Sequence, residues 1–478
     1  MFSKRLERRT LAAAVVLAGG AAIAPLAPAA SAAVAEEGGP KNVIVLIGDG
    51  MGHNQIDFTN SYLTGTTNHQ VAVDPADGEV TRVPGTPAQV FQEFPVQLGM
   101  STGSVTSPAY DPELAWGDFE WVTQDATDSA AAGTAMATGV KTENGVIGLD
   151  ADGSRVENLS ERAAALGKAA GVVSSVPFSH ATPAAFGAHN PDRNDLTGVT
   201  NEYLAGNLDV VIGAGHPWYD DDHQRLLSPR YDYISQGDYE RVSQGRTPFT
   251  FVEETSEFER LATVEETPDR VFGAVQVAST LQQGRTGVAG SEPFSVERND
   301  VPTLGTLTEA ALNVLDEDED GFFAMVEGGA IDWAGHANDA AQTIEETAEF
   351  FGAVDAAVEW VETESSWDET LLVVTADHET GYLAGPGANP NWTPIAGAAG
   401  QVPAASWNST NHTNGLVPVF AQGAGAEALA ARAVRQDPVR GAYVDSTDLA
   451  NVLLEDLWAD GFPPMQTWSA PASQQRSS

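Results

Sequence analysis

The 478-residue chain contains no cysteine. A disulfide framework and a lipid anchor attached through a thiol are therefore excluded. Positive charge is scarce too: Lys and Arg total 23 against 67 Asp and Glu, a formal net charge of −44, and the only lysines are Lys4, Lys41, Lys141 and Lys168. No nucleic acid binding is expected of such a surface. The same field repels phosphorylated small molecules, so a phosphate site here must carry its own concentrated positive charge. After the N-terminal segment, no apolar run is long enough to span a bilayer, and no membrane anchor is expected.

What stands at the N-terminus reads as an export signal. Lys4, Arg5, Arg8 and Arg9 precede an uncharged run from Leu11 and small residues ending at Ala30-Ser31-Ala32. This pattern predicts a signal peptide over 1–32, with Ala35 as a second cleavage choice. The product is expected to be secreted, free outside the cell or associated with the wall. The Arg8-Arg9 pair leaves the general and twin-arginine routes both open. A flexible segment over 33–40, a catalytic domain over 41–462 and a flexible tail over 463–478 complete the division.

Several apolar runs end in residues that bind metals. N-V-I-V-L-I (42 to 47) leads to Asp49, G-V-V-S-S-V (171 to 176) to His180 and Thr182, and F-F-A-M-V (322 to 326) to Glu327, with Asp332 and His336 following; T-L-L-V-V-T (370 to 375) leads to Asp377 and His378. Strands without polar alternation belong in a parallel sheet covered on both faces, and such sheets put their sites at the C-terminal strand ends. The fold class predicted is α/β: a three-layer α/β/α sandwich with a central, mostly parallel sheet. Asp332 and His336 are four apart, on one face of a helical turn. His412 stands in a polar loop before another short strand. The run D-V-V-I-G-A-G (209 to 215) has the same shape without a ligand at its end. Residues 55–120 read as loops with short helices, and 216–300 as additions at the periphery of the sheet.

Thr127-Asp128-Ser129 precedes an Ala-, Gly- and Thr-rich run with helical propensity. By itself this is an ordinary N-cap. Next to the ligand set it becomes a hydroxyl at a helix N-terminus, where free N–H groups and the dipole favour an anion. Asp316 to Glu327 matches the calcium-loop pattern D-x-D-x-D-G-x5-E. A buried strand predicted over its second half rules out the helix that such a loop requires.

Nitrogen and carboxylate ligands without thiolates suit catalytic zinc, and carboxylates with a hydroxyl suit magnesium. The motifs together resemble the alkaline phosphatase family: I-G-D-G-M-G (47 to 52), D-S-A and T-G-V-K-T-x-N-G (128 to 145), A-T-P-A-A (181 to 185), V-E-G-x-x-I-D-x-x-x-H (326 to 336), T-A-D-H-E (375 to 379) and H-T (412 to 413). The resemblance implies a phosphomonoesterase with Ser129 as the nucleophile that becomes phosphoserine and Arg193 as the phosphate-binding arginine. It implies two zinc ions, one held by Asp332, His336 and His412 and the other by Asp49, Asp377 and His378. One magnesium would sit beside Asp49, Thr182 and Glu327. His180 and Trp333 stand where the best-studied bacterial form has Asp and Lys, which bears on magnesium affinity and phosphate release. Small phosphorylated substrates and inorganic phosphate are the implied partners, and relatives are commonly homodimers. The alternatives are a phosphodiesterase of related architecture and a non-catalytic metal- or phosphate-binding surface protein.

Overall fold

The computed structural model describes residues 39–263 and 267–459. Residues 1–32, where a signal peptide is expected, nearly all of the segment over 33–40 and the tail over 463–478 lie outside them. Eleven strands form one sheet: β1 (Asn42–Gly48), β2 (Val96–Ser101), β3 (Ala169–Pro177), β4 (Val210–Ala214), β5 (Thr250–Val252), β6 (Val271–Ala274), β7 (Phe322–Gly328), β8 (Thr370–Thr375), β9 (Val417–Gly423), β10 (Arg435–Asp437) and β11 (Gly441–Asp445). Their order across the sheet is β10-β11-β2-β9-β8-β1-β7-β3-β4-β6-β5. From β8 to β5 every pairing is parallel. Only β9 and β10 run against their neighbours.

Central strands are apolar because both of their faces are covered. Val43, Ile44, Val45, Leu46 and Ile47 are all without solvent exposure. On one side the long helix Ala340–Glu364 packs with Leu304–Leu315 across β1, β7 and β3. A second group of helices, Ser129–Thr138, Leu159–Ala165, Ala181–Ala185 and Thr447–Asn451, forms the other layer. The result is the three-layer sandwich with a mostly parallel sheet that the apolar runs predict.

Register explains how distant residues meet. Ile47 of β1 lies opposite Thr375 of β8 and Glu327 of β7, and Glu327 lies opposite Ser174 of β3. Asp49 and Asp377, each two residues further on, therefore leave the sheet side by side. His412 reaches the same edge from the other direction, because β9 is antiparallel and begins where its neighbours end. The ligand-free run at 209–215 is β4, displaced outward beyond β3, and β5 and β6 from the 216–300 region extend that same edge.

Residues 55–120 depart from the loop reading. They contain most of a twelve-residue helix, His53–Thr64, and the sheet strand β2. The helix buries Gln55, Asp57, Asn60 and Ser61, so polar residues occupy its inner face and no apolar stripe marks it. Asn158 caps a short helix, Leu159–Ala165, and β3 begins at Ala169. In the calcium-loop look-alike, Leu304–Leu315 precedes the acidic turn and β7 follows it, so Glu327 ends a buried strand.

Candidate active site

The hydroxyl at the helix mouth is where the sequence places it. Ser129 is the first residue of Ser129–Thr138, and Asp128 caps it by accepting from the Ala131 amide at 3.0 Å. Every residue of this helix is buried. A Cβ at Gly133 would stand 3.0 Å from the Ala185 Cβ, so the helix carries small side chains because the Ala181–Ala185 helix, with Thr182, lies directly against it. Ser129 Oγ is 3.2 Å from His378 Nε2.

Three clusters share residues with one another, and His378, beside that hydroxyl, belongs to the second. Asp332, His336 and His412 form the first, Asp49, Asp332 and His378 the second, and Asp49, His180 and Glu327 the third; within each, the donor atoms lie within 4.8 Å of one another. Asp377 joins the second through Oδ2, 3.1 Å from His378 Nε2, and Thr182 Oγ1 donates to Asp49 Oδ2 at 3.2 Å. Gly50, at φ +74°, makes the crowding possible: a Cβ there would stand 2.8 Å from Asp332 Cα.

The donor set fits cations. His336 Nδ1 lies 2.7 Å from the Thr410 carbonyl and His412 Nδ1 lies 2.7 Å from the Thr127 carbonyl. A carbonyl only accepts, so each neutral ring keeps its proton on Nδ1 and turns a lone pair out at Nε2. Those two Nε2 atoms stand 3.0 Å apart, and Asp332 oxygens lie 3.4 Å and 3.3 Å from them. Two lone pairs and a carboxylate facing one point match a metal ion. In the other clusters Asp49 Oδ1, Glu327 Oε1, Asp377 Oδ2 and His180 Nδ1 are buried without a hydrogen-bond partner among the described residues. Such groups are rarely left bare in a protein interior.

A search against family models settles the chain's ancestry: the alkaline phosphatase model matches residues 40–212 and 288–401. This chain belongs to the alkaline phosphatase family. Alkaline phosphatase 3 of Bacillus subtilis (strain 168) is 32% identical to it over 361 residues, 74% of this chain and 64% of the relative. Alkaline phosphatase of Escherichia coli (strain K12) is 30% identical over 374 residues, 71% of this chain and 70% of the relative. The chain thus spans just under two thirds of the length of the Bacillus relatives. The solved alkaline phosphatase of the Antarctic bacterium TAB5 covers 87% of this chain and 98% of its own, with a TM-score of 0.58 and 25% identity. The Thermus thermophilus alkaline phosphatase shares the fold at a TM-score of 0.60 and 21% identity, covering 91% of this chain and 96% of its own.

Electrostatics at these clusters follow from their burial. Burial first, then Asp377, Asp332 and Glu327, pushes the Asp49 carboxyl well above its ordinary range. Glu327 is pushed up to about 7, chiefly by burial. Burial and then Asp332 push Asp377 up to about 6. Burial and then the neighbouring His412 ring hold His378 well below the usual imidazole range. Asp332 goes the other way: although burial opposes it, the hydrogen bond and charge of His412, then His378 and His336, hold its carboxyl well below the usual range.

The geometry adds residues that the motifs do not single out. Asp128 Oδ2 accepts from Arg193 Nη1 at 2.9 Å, so the residue before Ser129 also holds the arginine. Thr380 Oγ1 donates to Asp332 Oδ1 at 2.5 Å and lies 3.3 Å from His378 Nδ1, tying two clusters together. Ser174 Oγ donates to Glu327 Oε2. The available signals were Thr380 two places after His378, which alternation puts on the same side, and hydroxyls inside an otherwise apolar strand. The His180 ring meets the Trp333 ring edge to face at 5.8 Å, and one His180 ring nitrogen lies within 4.8 Å of donor atoms of Asp49 and Glu327.

Proposed function

We propose that the protein is a secreted phosphomonoesterase acting through a phosphoserine on Ser129. The observation that carries this reading is the Ser129 hydroxyl, at a helix N-terminus and 3.2 Å from His378 Nε2, with His378 in one of three linked metal-ligand clusters.

In this reading Asp332, His336 and His412 hold one zinc, and Asp49, Asp377 and His378 the other. Asp49, Thr182 and Glu327 hold magnesium, with His180 at the margin of that site. Zinc held there would lower the pKa of an adjacent hydroxyl and neutralise charge on entering and leaving oxygens. Arg193 receives the phosphoryl group. Its Nη1 is fixed by Asp128, which aims the remaining N–H groups of the planar fork at two phosphoryl oxygens. The helix N-terminus adds its partial positive charge from below. Ser129 Oγ forms the bond to phosphorus while the bond to the ester oxygen breaks, and the serine proton ends on the departing alcohol. Water then attacks the phosphoserine, the bond to Oγ breaks, and the serine recovers a proton as phosphate forms.

Export rests on the basic, apolar and small-residue order of 1–32, residues outside the described structure; among the described residues no helix is long and apolar enough to cross a membrane. A homodimer is the assembly that the family suggests, and light scattering on the mature protein tests it. The deciding experiment is metal analysis of the purified mature protein alongside hydrolysis of an aryl phosphate, before and after chelation. About two zinc ions per chain and activity lost on chelation and restored by zinc are expected. Unchanged turnover in the stripped protein would sink the mechanism.

A further inference from the structure

Glu379 closes the motif T-A-D-H-E, stands next to His378 and belongs to none of the three clusters. It is 8% exposed, and no Lys, Arg or His nitrogen lies within 4 Å of its carboxylate among the described residues. An acid is almost never buried this deeply without partners. Its partners are three neutral donors: Gln55 Nε2 at 2.8 Å and the Leu383 amide at 3.1 Å reach Oε1, and Thr413 Oγ1 at 2.7 Å reaches Oε2.

Two of those donors come from segments that deliver metal-ligating residues. Gln55 lies in the first turn of His53–Thr64, the helix that begins four residues after Asp49. Its Nε2 also donates to the Thr380 carbonyl at 2.8 Å, while the Thr380 amide donates to the Gly50 carbonyl and the Gly50 amide to Asp377 Oδ1, both at 3.1 Å. The Asp49 turn and the Asp377-His378 turn are thus laced together, with the Glu379 carboxylate at one end of the lacing. Gly52 leaves the space for it: a Cβ there would stand 2.5 Å from Glu379 Cγ, so a larger residue would displace the acid. Thr413, the third donor, adjoins His412.

His412 depends most on such a tie. It returns at the end of the long connection over 381–411 and pairs with the ligand-bearing turn over two residues only, Glu379 opposite Thr413 and Thr380 opposite His412. In so short a ladder a slip of one residue would turn the His412 side chain to the other face. The hydrogen bond from Thr413 to Glu379 pins that register from the side chains, because Thr413 cannot shift without leaving Oε2, to which it is the one donor among the described residues, bare in the interior.

We propose that Glu379 is a positioning residue for both zinc sites, holding His412 and the Asp49 and Asp377-His378 turns in register before a metal arrives. This rests on the zinc assignment given under the proposed function. The carboxylate acts through its hydrogen bonds and not through its charge. Glu379→Gln therefore keeps the device: the new carbonyl faces Gln55 and Leu383, and the new amide donates to Thr413 Oγ1, whose hydroxyl turns from donor to acceptor. Glu379→Ala removes it.

Extraction of zinc from the metal-loaded full-length mature chain by a competing chelator tests this. Both ions should leave Glu379→Ala about ten- to a hundredfold more readily than the native protein, whereas Glu379→Gln should stay within about threefold of it. Thr413→Val removes one donor at constant shape and should weaken one ion about tenfold, the one assigned to His412, while the other is extracted as from the native protein. That split decides the matter even if Glu379→Ala fails to fold. Native extraction curves in Thr413→Val, equal weakening of both ions in it, or a loss in Glu379→Gln as large as in Glu379→Ala would each overturn the proposal. Fewer than about two zinc ions in the native protein would sink the zinc assignment first and this proposal with it.

Discussion

Arg193 is held by Asp128, the residue immediately before Ser129, through a 2.9 Å ion pair. The guanidinium fork and the Ser129 hydroxyl are thereby anchored to consecutive positions of one chain segment. Asp128 also caps the helix that carries the serine.

Replacing the nucleophile tests the centre directly. Ser129→Ala should lower turnover of an aryl phosphate by at least about a thousandfold. Zinc content should be unaffected, because the serine stands in no cluster. Comparable loss of zinc would mean that the serine matters for assembly instead.

Loosening the arginine should separate binding from chemistry less cleanly. Arg193→Lys keeps the charge but loses the fork, and we expect kcat/KM to fall by about one to two orders of magnitude. Asp128→Asn should act in the same direction and also lower the melting temperature through the weakened cap. Steady-state kinetics with thermal unfolding of both variants checks this; wild-type kcat/KM in Arg193→Lys would remove the arginine from the reaction.

His180 brings a nitrogen donor to a cluster otherwise made of oxygens, alongside Asp49 and Glu327. Magnesium prefers oxygen throughout. His180→Asp is therefore expected to retain magnesium more strongly through gel filtration and at lower free magnesium. Unchanged magnesium affinity in the variant would count against this account of the third site.

Thr380 ties Asp332 to His378 through one hydroxyl. Thr380→Val removes the tie at constant shape, and zinc affinity should fall roughly ten- to a hundredfold in competition with a chelator. An unaltered competition curve would reduce the hydroxyl to packing.

Glu346 gives a pH dependence remote from the metals. Burial first, then Glu349, pushes it up to about 8, with Arg298 and Arg285 opposing. A carboxyl that is raised on folding stabilises the native state fully below its unfolded value near 4.5 and loses that contribution as pH rises through the folded value. Glu346→Gln mimics the protonated form, so its melting temperature relative to the native protein should climb between pH 5 and pH 8.5. A constant difference across that range would contradict the shift.

The apolar runs disclosed most of the fold because strands covered on both faces have no alternation to hide. Asp49, Glu327 and Asp377 were legible for the same reason: each follows such a run, and parallel pairing aligns the run ends. His412 was legible only through the family motif, since nothing local shows that β9 runs backwards and delivers it to the same edge. The helix His53–Thr64 escaped because its inner face is polar. The roles of Ser174, Thr380 and Asp128 depend on contacts between segments tens to hundreds of residues apart, which no local pattern contains.

The Thr127 carbonyl, two residues before the nucleophile, fixes the His412 ring. If His412 takes up an ion as proposed, any shift of its imidazole would pass to the peptide leading into the Ser129 turn, so ion loading would bear on the alignment of the serine. A chain emptied of its ions would lose its aim along with its charge.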